Sequence, residues 1–211
     1  DDPNYQITSY VYNSFRRSTN GGSSFSSIQD DQTTGKFINP CDYDDAMNIL
    51  YSSRTSTTIQ RINDINATFN IDYFTVTGMV DIATHIRVSE YTSGSSTIFI
   101  GTGAGDIFKV TNANTATPTS VQISNGIPAG SISCIELGAN ENELLVTLSN
   151  FGLTSVWYSD NGGASWSNKE GNLPDMPIRW ALFNPNDRDE AILATDLGAW
   201  GCDDFSSPSP D

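Results

Sequence analysis

Three features of the sequence predict an all-β fold, a β-propeller of four-stranded antiparallel blades. A unit of about 43 to 49 residues recurs along the chain. Within each unit, short apolar runs are separated by turns rich in Gly, Asn, Asp and Pro. Period-2 and short apolar runs outnumber any 3.6-residue pattern, so no helix is expected. One such unit cannot cover both faces of its own sheet, whereas stacked neighbours can, which is the physical reason for repetition.

The repeat is sharpest at Ser159-Asp160-Asn161-Gly162-Gly163-Ala164-Ser165-Trp166 and Ser18-Thr19-Asn20-Gly21-Gly22-Ser23-Ser24-Phe25. Both read Ser, any, Asn, Gly, Gly, any, Ser, aromatic, and they lie three repeat lengths apart. Weaker echoes of the run before the motif fall at Ile59-Gln60-Arg61-Ile62-Asn63, Phe108-Lys109-Val110-Thr111-Asn112 and Trp200-Gly201-Cys202-Asp203-Asp204. A second marker, Asn125-Gly126-Ile127-Pro128 and Gly171-Asn172-Leu173-Pro174, precedes the apolar runs 132–137 and 178–183. Each run enters a polar turn and then another apolar run, at 144–148 or 191–195. A related turn at 39–43 precedes 48–52. Roughly four to five blades' worth of strands result, over residues 1–205, with a Ser/Pro-rich tail or linker at 206–211. The Ser18 copy has less than a blade before it, and the run near Asp204 has no closing strand after it. A partial propeller, completed by the remainder of a longer chain or a partner subunit, is therefore expected; a ring closed by these 211 residues alone would overturn that.

Composition narrows the partners. Twenty-five acidic residues against 10 basic ones give a net charge of −15, which repels phosphate backbones and anionic membranes. No stretch approaches the roughly 18 apolar residues of a span, so membrane insertion is not expected. The opening Asp1-Asp2-Pro3 and the scarcity of Lys beside abundant Ser, Thr, Asn and Gly fit a mature secreted product. Cys41, Cys134 and Cys202 are compatible with one disulfide plus a free thiol, or with three free thiols.

Candidate chemistry is sparse. Gly101-Thr102-Gly103-Ala104-Gly105-Asp106 has its third glycine out of place for a dinucleotide loop, and a strand rather than a helix follows. Asp42-Tyr43-Asp44-Asp45 resembles the start of a calcium loop, but Met47 and Ser53 occupy the positions that demand Gly and Glu. No cofactor is expected, with irregular calcium binding at that turn left open. His85, the only histidine, lacks a nucleophile-elbow context and cannot by itself form a multi-histidine metal site. Glycoside hydrolysis needs two facing carboxylates, and no pair stands out. Trp157, Trp180 and Trp200 recur near strand positions, where blade packing or sugar stacking is open to them.

The two Gly-Gly motifs resemble the Asp-boxes of BNR-type propellers, found in sialidases, xyloglucanase-type glycoside hydrolases, sortilin-like receptors and secreted bacterial surface proteins. Asn20 and Asn161 stand at the family's Asp position, and Phe25 stands at the Trp position of the first copy. The resemblance implies a structural role for Ser18, Asn20, Gly22, Ser24, Phe25, Ser159, Asn161, Gly163, Ser165 and Trp166: a tight hairpin with the aromatic packed inward, equivalently at Phe25 and Trp166. With no coherent catalytic constellation in the sequence, the reading is a secreted or cell-surface module that binds polysaccharide or protein at the propeller face without catalysis. The alternative is part of a xyloglucanase-like glycoside hydrolase. Sialidase activity is disfavoured, because none of the arginines sits in an Arg-Ile-Pro motif.

Overall fold

The computed structural model describes residues 2–211 as five antiparallel sheets, with no helix among them. The first sheet has three strands, β1 (Gln6–Ser9), β2 (Asn13–Ser18) and β3 (Ser26–Asp31). The second comprises β4 (Cys41–Asp44), β5 (Ile49–Ser53), β6 (Thr58–Asn63) and β7 (Asn70–Thr75). The third comprises β8 (Ala83–Val88), β9 (Ile98–Thr102), β10 (Ile107–Thr111) and β11 (Thr119–Gln122). The fourth comprises β12 (Ile132–Leu137), β13 (Leu144–Leu148), β14 (Val156–Ser159) and β15 (Ser167–Asn168). The fifth has β16 (Ile178–Phe183), β17 (Ala191–Thr195) and β18 (Gly198–Cys202). Each is a meander whose strands pair in chain order, and no strand of the first sheet pairs with the fifth.

The repeat markers fall on equivalent strands. The runs ending at Ser18, Asn63, Thr111 and Ser159 are all the strand before the outermost one, and the run at Trp200 is β18. Packing of sheet on sheet explains the composition of the middle strands. In β13, Leu144 and Val146 pack toward the third sheet with Phe99 and Ile107, while Leu145 packs toward the fifth with Ile178 and Phe183. Both faces are covered, so the run is apolar except for Thr147 and wholly buried. The equivalent β17 is covered on one face only: Ala191 and Leu193 are buried, while Ile192 is 57% exposed. Leu182 and Trp200 of the same sheet are likewise exposed.

Polar ties join neighbouring sheets. Arg61 Nη1 donates to the carbonyls of Ala113 and Thr115, each at 2.6 Å, in the turn after β10. Arg17 makes the equivalent pair of bonds to Ile65 (2.5 Å) and Ala67 (2.8 Å) after β6. Both receiving turns begin on a residue in the left-handed region, Asp64 (φ 53°) or Asn112 (φ 53°), which short polar side chains tolerate. These turns replace the Gly-Gly hairpin in the second and third sheets.

The segment 206–211 lies folded against the fourth and fifth sheets, whereas its composition suggested a tail or linker. Lys169 Nζ donates to the carbonyls of Phe205 (2.8 Å), Ser206 (3.4 Å) and Ser207 (2.5 Å). Phe205 sets the direction by entering an aromatic cluster with Tyr158 and Phe183, each at a ring separation of 5.4 Å. All three cysteines are free thiols, and no helix among the described residues is long and apolar enough to cross a membrane.

Candidate functional site

Two regions carry organised polar chemistry, the Gly-Gly hairpins and the innermost strands. The hairpins share one hydrogen-bond network. Ser159 Oγ donates to Asn161 Oδ1 (2.9 Å) and accepts the backbone N–H groups of Asn161 (3.3 Å) and Gly163 (2.9 Å). Asn161 Oδ1 also accepts the Ser165 N–H (2.9 Å), and its Nδ2 donates to Ser165 Oγ (2.7 Å). Ser18, Asn20, Gly22 and Ser24 make the same five bonds at 2.9 to 3.2 Å. Asn thus performs both halves of the cap, its carbonyl accepting and its amide donating. Gly22 and Gly163 both sit at φ 85°, where a Cβ is strained.

The aromatic positions differ. Trp166 is half-buried against the third sheet, and its Nε1–H donates to the Ile123 carbonyl at 2.7 Å. Phe25, expected to pack inward likewise, is 41% exposed. The reason is positional. Trp166 packs on the third sheet, whereas Phe25 belongs to none of the buried clusters of the described residues. Trp166→Ala is therefore expected to cost about 2 to 3 kcal/mol, below the range for a fully buried aromatic. Phe25→Ala is expected to stay within about 0.5 kcal/mol, as at an ordinary surface position. Urea denaturation of the two variants checks the contrast, and equal losses would refute it.

The first strands β4, β8, β12 and β16 pack side by side in sequence. Three of them carry a register shift at the same place, at Thr84, Ser133 and Arg179. Such bulges re-aim the side chains that follow. The bulged hydroxyls tie the strands together: Thr84 donates to the Ile132 carbonyl and Ser133 to that of Ile178, each at 2.6 Å. Beyond the bulges, His85, Cys134 and Trp180 occupy equivalent positions, followed by Arg87, Glu136 and Leu182.

The geometry there is specific. His85 stacks edge-on against Trp180 at 5.1 Å, across the intervening strand. The histidine is 4% exposed and its Nε2 has no hydrogen-bond partner, while Trp180 is 43% exposed. Burial, then the nearby Arg87 charge, push the imidazole down to about 4, so it is neutral at pH 7. Arg87 Nη2 lies 3.5 Å from Glu136 Oε2. Burial raises the Glu136 carboxyl above its ordinary value; Arg87 opposes the rise, and Glu90 and Asp42 add to it. Asp42 is also raised by burial, against the pull of the Val88 N–H, which donates to Oδ2 at 2.7 Å. Burial pushes the Cys134 thiol up to about 12, leaving it protonated and inert as a nucleophile.

The remaining sequence candidates resolve locally. Gly101–Asp106 spans the hairpin between β9 and β10. Asp42 and Asp44 belong to β4; Asp44 accepts the Met47 N–H (2.9 Å) and the Ser96 hydroxyl (2.5 Å). Among the described residues no group of three or more His, Cys, Asp or Glu is placed to hold a metal. Sequence reasoning weighed His85 and Trp180 one at a time and missed their association. Superposing the three runs on the repeat length puts them in one column and Arg87 and Glu136 in the next.

Solved structures share this architecture. The chain superposes on the GH74 enzyme of Niastella koreensis with a TM-score of 0.71 at 18% identity, covering 98% of this chain and 35% of that one. It matches YCF48 from Cyanidioschyzon merolae (TM-score 0.66, 10% identity, 93% and 65% coverage). It also matches the WD40 β-propeller domain of Doa1 (TM-score 0.68, 13% identity, 99% and 64% coverage). The fold is thus that of a β-propeller, and the chain spans between about a third and two thirds of the length of these neighbours. No family model and no curated protein matches the sequence.

Proposed function

We propose that this chain is an Asp-box (BNR-type) propeller module of a secreted or cell-surface protein, and that it binds a carbohydrate or protein ligand at the face formed by β8, β12 and β16. The observation that carries this reading is the half-exposed Trp180 ring, held on edge by neutral His85 beside the Arg87–Glu136 pair. An aromatic platform next to a cation and a carboxyl is what a polyhydroxylated ring or a peptide turn engages, by stacking and by directed hydrogen bonds. The recurrent hairpin network supports the family assignment, and its role there is to fix the turn.

Glycan and peptide arrays, followed by calorimetry on the best ligand, test the reading. Trp180→Ala is expected to weaken binding at least tenfold, about 1.4 kcal/mol, with little change in the urea midpoint because the ring is half-exposed. Unchanged affinity would refute this face as the site.

A second reading has one observation in its favour. Asp42 and Glu136 both have carboxyl pKa values raised by burial near a shared arginine, and an upward shift is the direction that suits a glycosidase general acid. Polysaccharide hydrolysis that is abolished by Glu136→Gln while binding persists would establish it. Binding without hydrolysis by the wild type would dismiss it.

A further inference from the structure

The chain holds three Asn-Gly pairs, Asn20-Gly21, Asn125-Gly126 and Asn161-Gly162. In such a pair the backbone nitrogen of the glycine can attack the side-chain amide carbon of the asparagine. Glycine opposes this least, because it has no Cβ to obstruct the approach and its backbone rotates freely. The reaction needs two free groups: the glycine N–H as nucleophile and the asparagine side chain as electrophile. The fold treats the three pairs differently on both counts.

At the two hairpin motifs both groups are tied. The Gly162 N–H donates to the Asn142 carbonyl (2.9 Å), and the Gly21 N–H donates to the Asn4 carbonyl (3.1 Å). The Asn161 side chain is held by the Ser159 hydroxyl, the Ser165 N–H and the Ser165 hydroxyl. Asn20 is held in the same way by Ser18 and Ser24. At Asn125-Gly126, among the described residues, neither the glycine N–H nor the asparagine side chain has a hydrogen-bond partner. Both residues are exposed, and a Cβ built on Gly126 would meet nothing within 4 Å. The turn lies between β11 and β12, in the connection from the third sheet to the fourth. It is closed by the Ile127 N–H donating to the Ser124 carbonyl (3.0 Å), and Ile127 packs on the apolar cluster of those two sheets.

We propose that Asn125 is a site of spontaneous covalent modification, converted through a succinimide to aspartate and isoaspartate while Asn20 and Asn161 are protected. The Gly126 nitrogen forms a bond to Asn125 Cγ, and the side-chain nitrogen leaves as ammonia, carrying the proton that the Gly126 nitrogen loses. Water then adds across one of the two carbon–nitrogen bonds of the ring. Opening at Cγ gives aspartate; opening at the main-chain carbonyl gives isoaspartate. No oxidant or reductant is involved. In the isoaspartyl product the main chain runs through Cβ and Cγ and is one atom longer between Ser124 and Gly126. That length works against the bond closing the turn and shifts Ile127 from its place on the cluster. The two asparagines that cap the hairpins keep their amides, because the network that fixes each turn also occupies both reacting groups. The site is remote from Trp180 in the fold's own terms, on a connecting turn rather than an inner strand, and does not rest on the function proposed above.

The test incubates the folded protein at mildly alkaline pH in water enriched in heavy oxygen and follows each Asn-Gly pair by peptide mapping and mass spectrometry. Labelling with an isoaspartyl methyltransferase identifies the isoaspartyl product. Conversion at Asn125 is expected to run roughly tenfold or more ahead of Asn20 and Asn161, since several hydrogen bonds must break before either motif can react. In urea, with no turn to hold them, the three pairs are expected to convert at similar rates. Ser165→Ala, which frees the Asn161 amide nitrogen, is expected to speed conversion at Asn161. The urea midpoint of the aged wild type is expected to fall, while that of an equally aged Asn125→Gln variant stays at its fresh value. Equal rates at the three sites in the folded protein, or faster conversion at either motif, would overturn the proposal. So would aspartate as the sole product, because the route would then be direct hydrolysis without ring closure. An aged wild type that keeps its fresh midpoint would overturn the effect on the turn.

Discussion

Replacing Arg61 by Met is expected to destabilise the protein by about 2 to 4 kcal/mol, chiefly the cost of leaving the acceptors of a largely buried hydrogen-bond network without their donor. The side chain is nearly buried, and four of the five N–H donors of its guanidinium are used. Nη1 donates to two carbonyls of the third sheet, while Nε and Nη2 hold the Asp72 carboxylate of its own sheet. The Met stem keeps most of the packing volume, so the loss reports the hydrogen bonds. Both carbonyls are left without their donor, and the desolvation cost of unsatisfied groups is what makes such changes large. Arg17→Met removes the same kind of tie between the first and second sheets, at a more exposed site, and is expected to cost about 1 to 2 kcal/mol. Asp72→Asn, at a 40% exposed side chain, should cost about 1 kcal/mol or less. Urea unfolding followed by far-UV circular dichroism checks this order. All four tryptophans lie at or beyond position 157, so their fluorescence reports the fourth and fifth sheets. If the array unfolds in nearest-neighbour fashion, the Arg61→Met midpoint falls more by dichroism than by fluorescence. Equal midpoints by both probes would show that the five sheets unfold as one unit.

His85→Phe is expected to remove most of an acid sensitivity worth about 3 kcal/mol between pH 7 and pH 4. The sign follows from linkage. The folded imidazole sits at about 4 against an ordinary value of 6.5, so between those limits the unfolded chain binds the proton and the folded one resists it. The stability His85 contributes is complete above pH 6.5 and is lost as pH falls toward 4. Phenylalanine keeps a ring against Trp180 and cannot titrate. Glu136 acts in the opposite sense: its raised pKa gives stability that is present below the ordinary carboxylate value and lost as pH rises through the folded one. Glu136 and the other carboxyls are common to both proteins, so the wild-type minus variant difference isolates the histidine. Denaturation midpoints at pH 7, 5.5 and 4 provide the measurement, and a difference that stays constant with pH would contradict the argument.

Much of this architecture was legible in the sequence. The spacing of Asn161-Gly162-Gly163 and Asn20-Gly21-Gly22 placed both hairpins, because only glycine accepts their positive φ and only a short amide side chain closes the turn both ways. The runs at 132–137, 144–148, 178–183 and 191–195 became β12, β13, β16 and β17, since a short apolar run bounded by polar turns is a local pattern. The candidate site was less legible. His85, Arg87, Glu136 and Trp180 are unremarkable one at a time, and their meeting depends on three bulges that turn three inner strands alike. Phe25 and Trp166 look interchangeable in the motif, yet one ring has a sheet to pack on and the other does not. The segment 206–211 reads as a linker by composition, yet Phe205 and Lys169 fold it back.

The sequence by itself determined the all-β class, the repeat length and the two hairpin caps, because each rests on residues close together in the chain: glycine dihedrals, turn amides and alternating apolarity. Only the tertiary structure decided which faces are covered and where the inner strands gather their charges. Those depend on how one sheet lies on the next, so the same motif leaves Trp166 half-buried against the third sheet and Phe25 largely exposed.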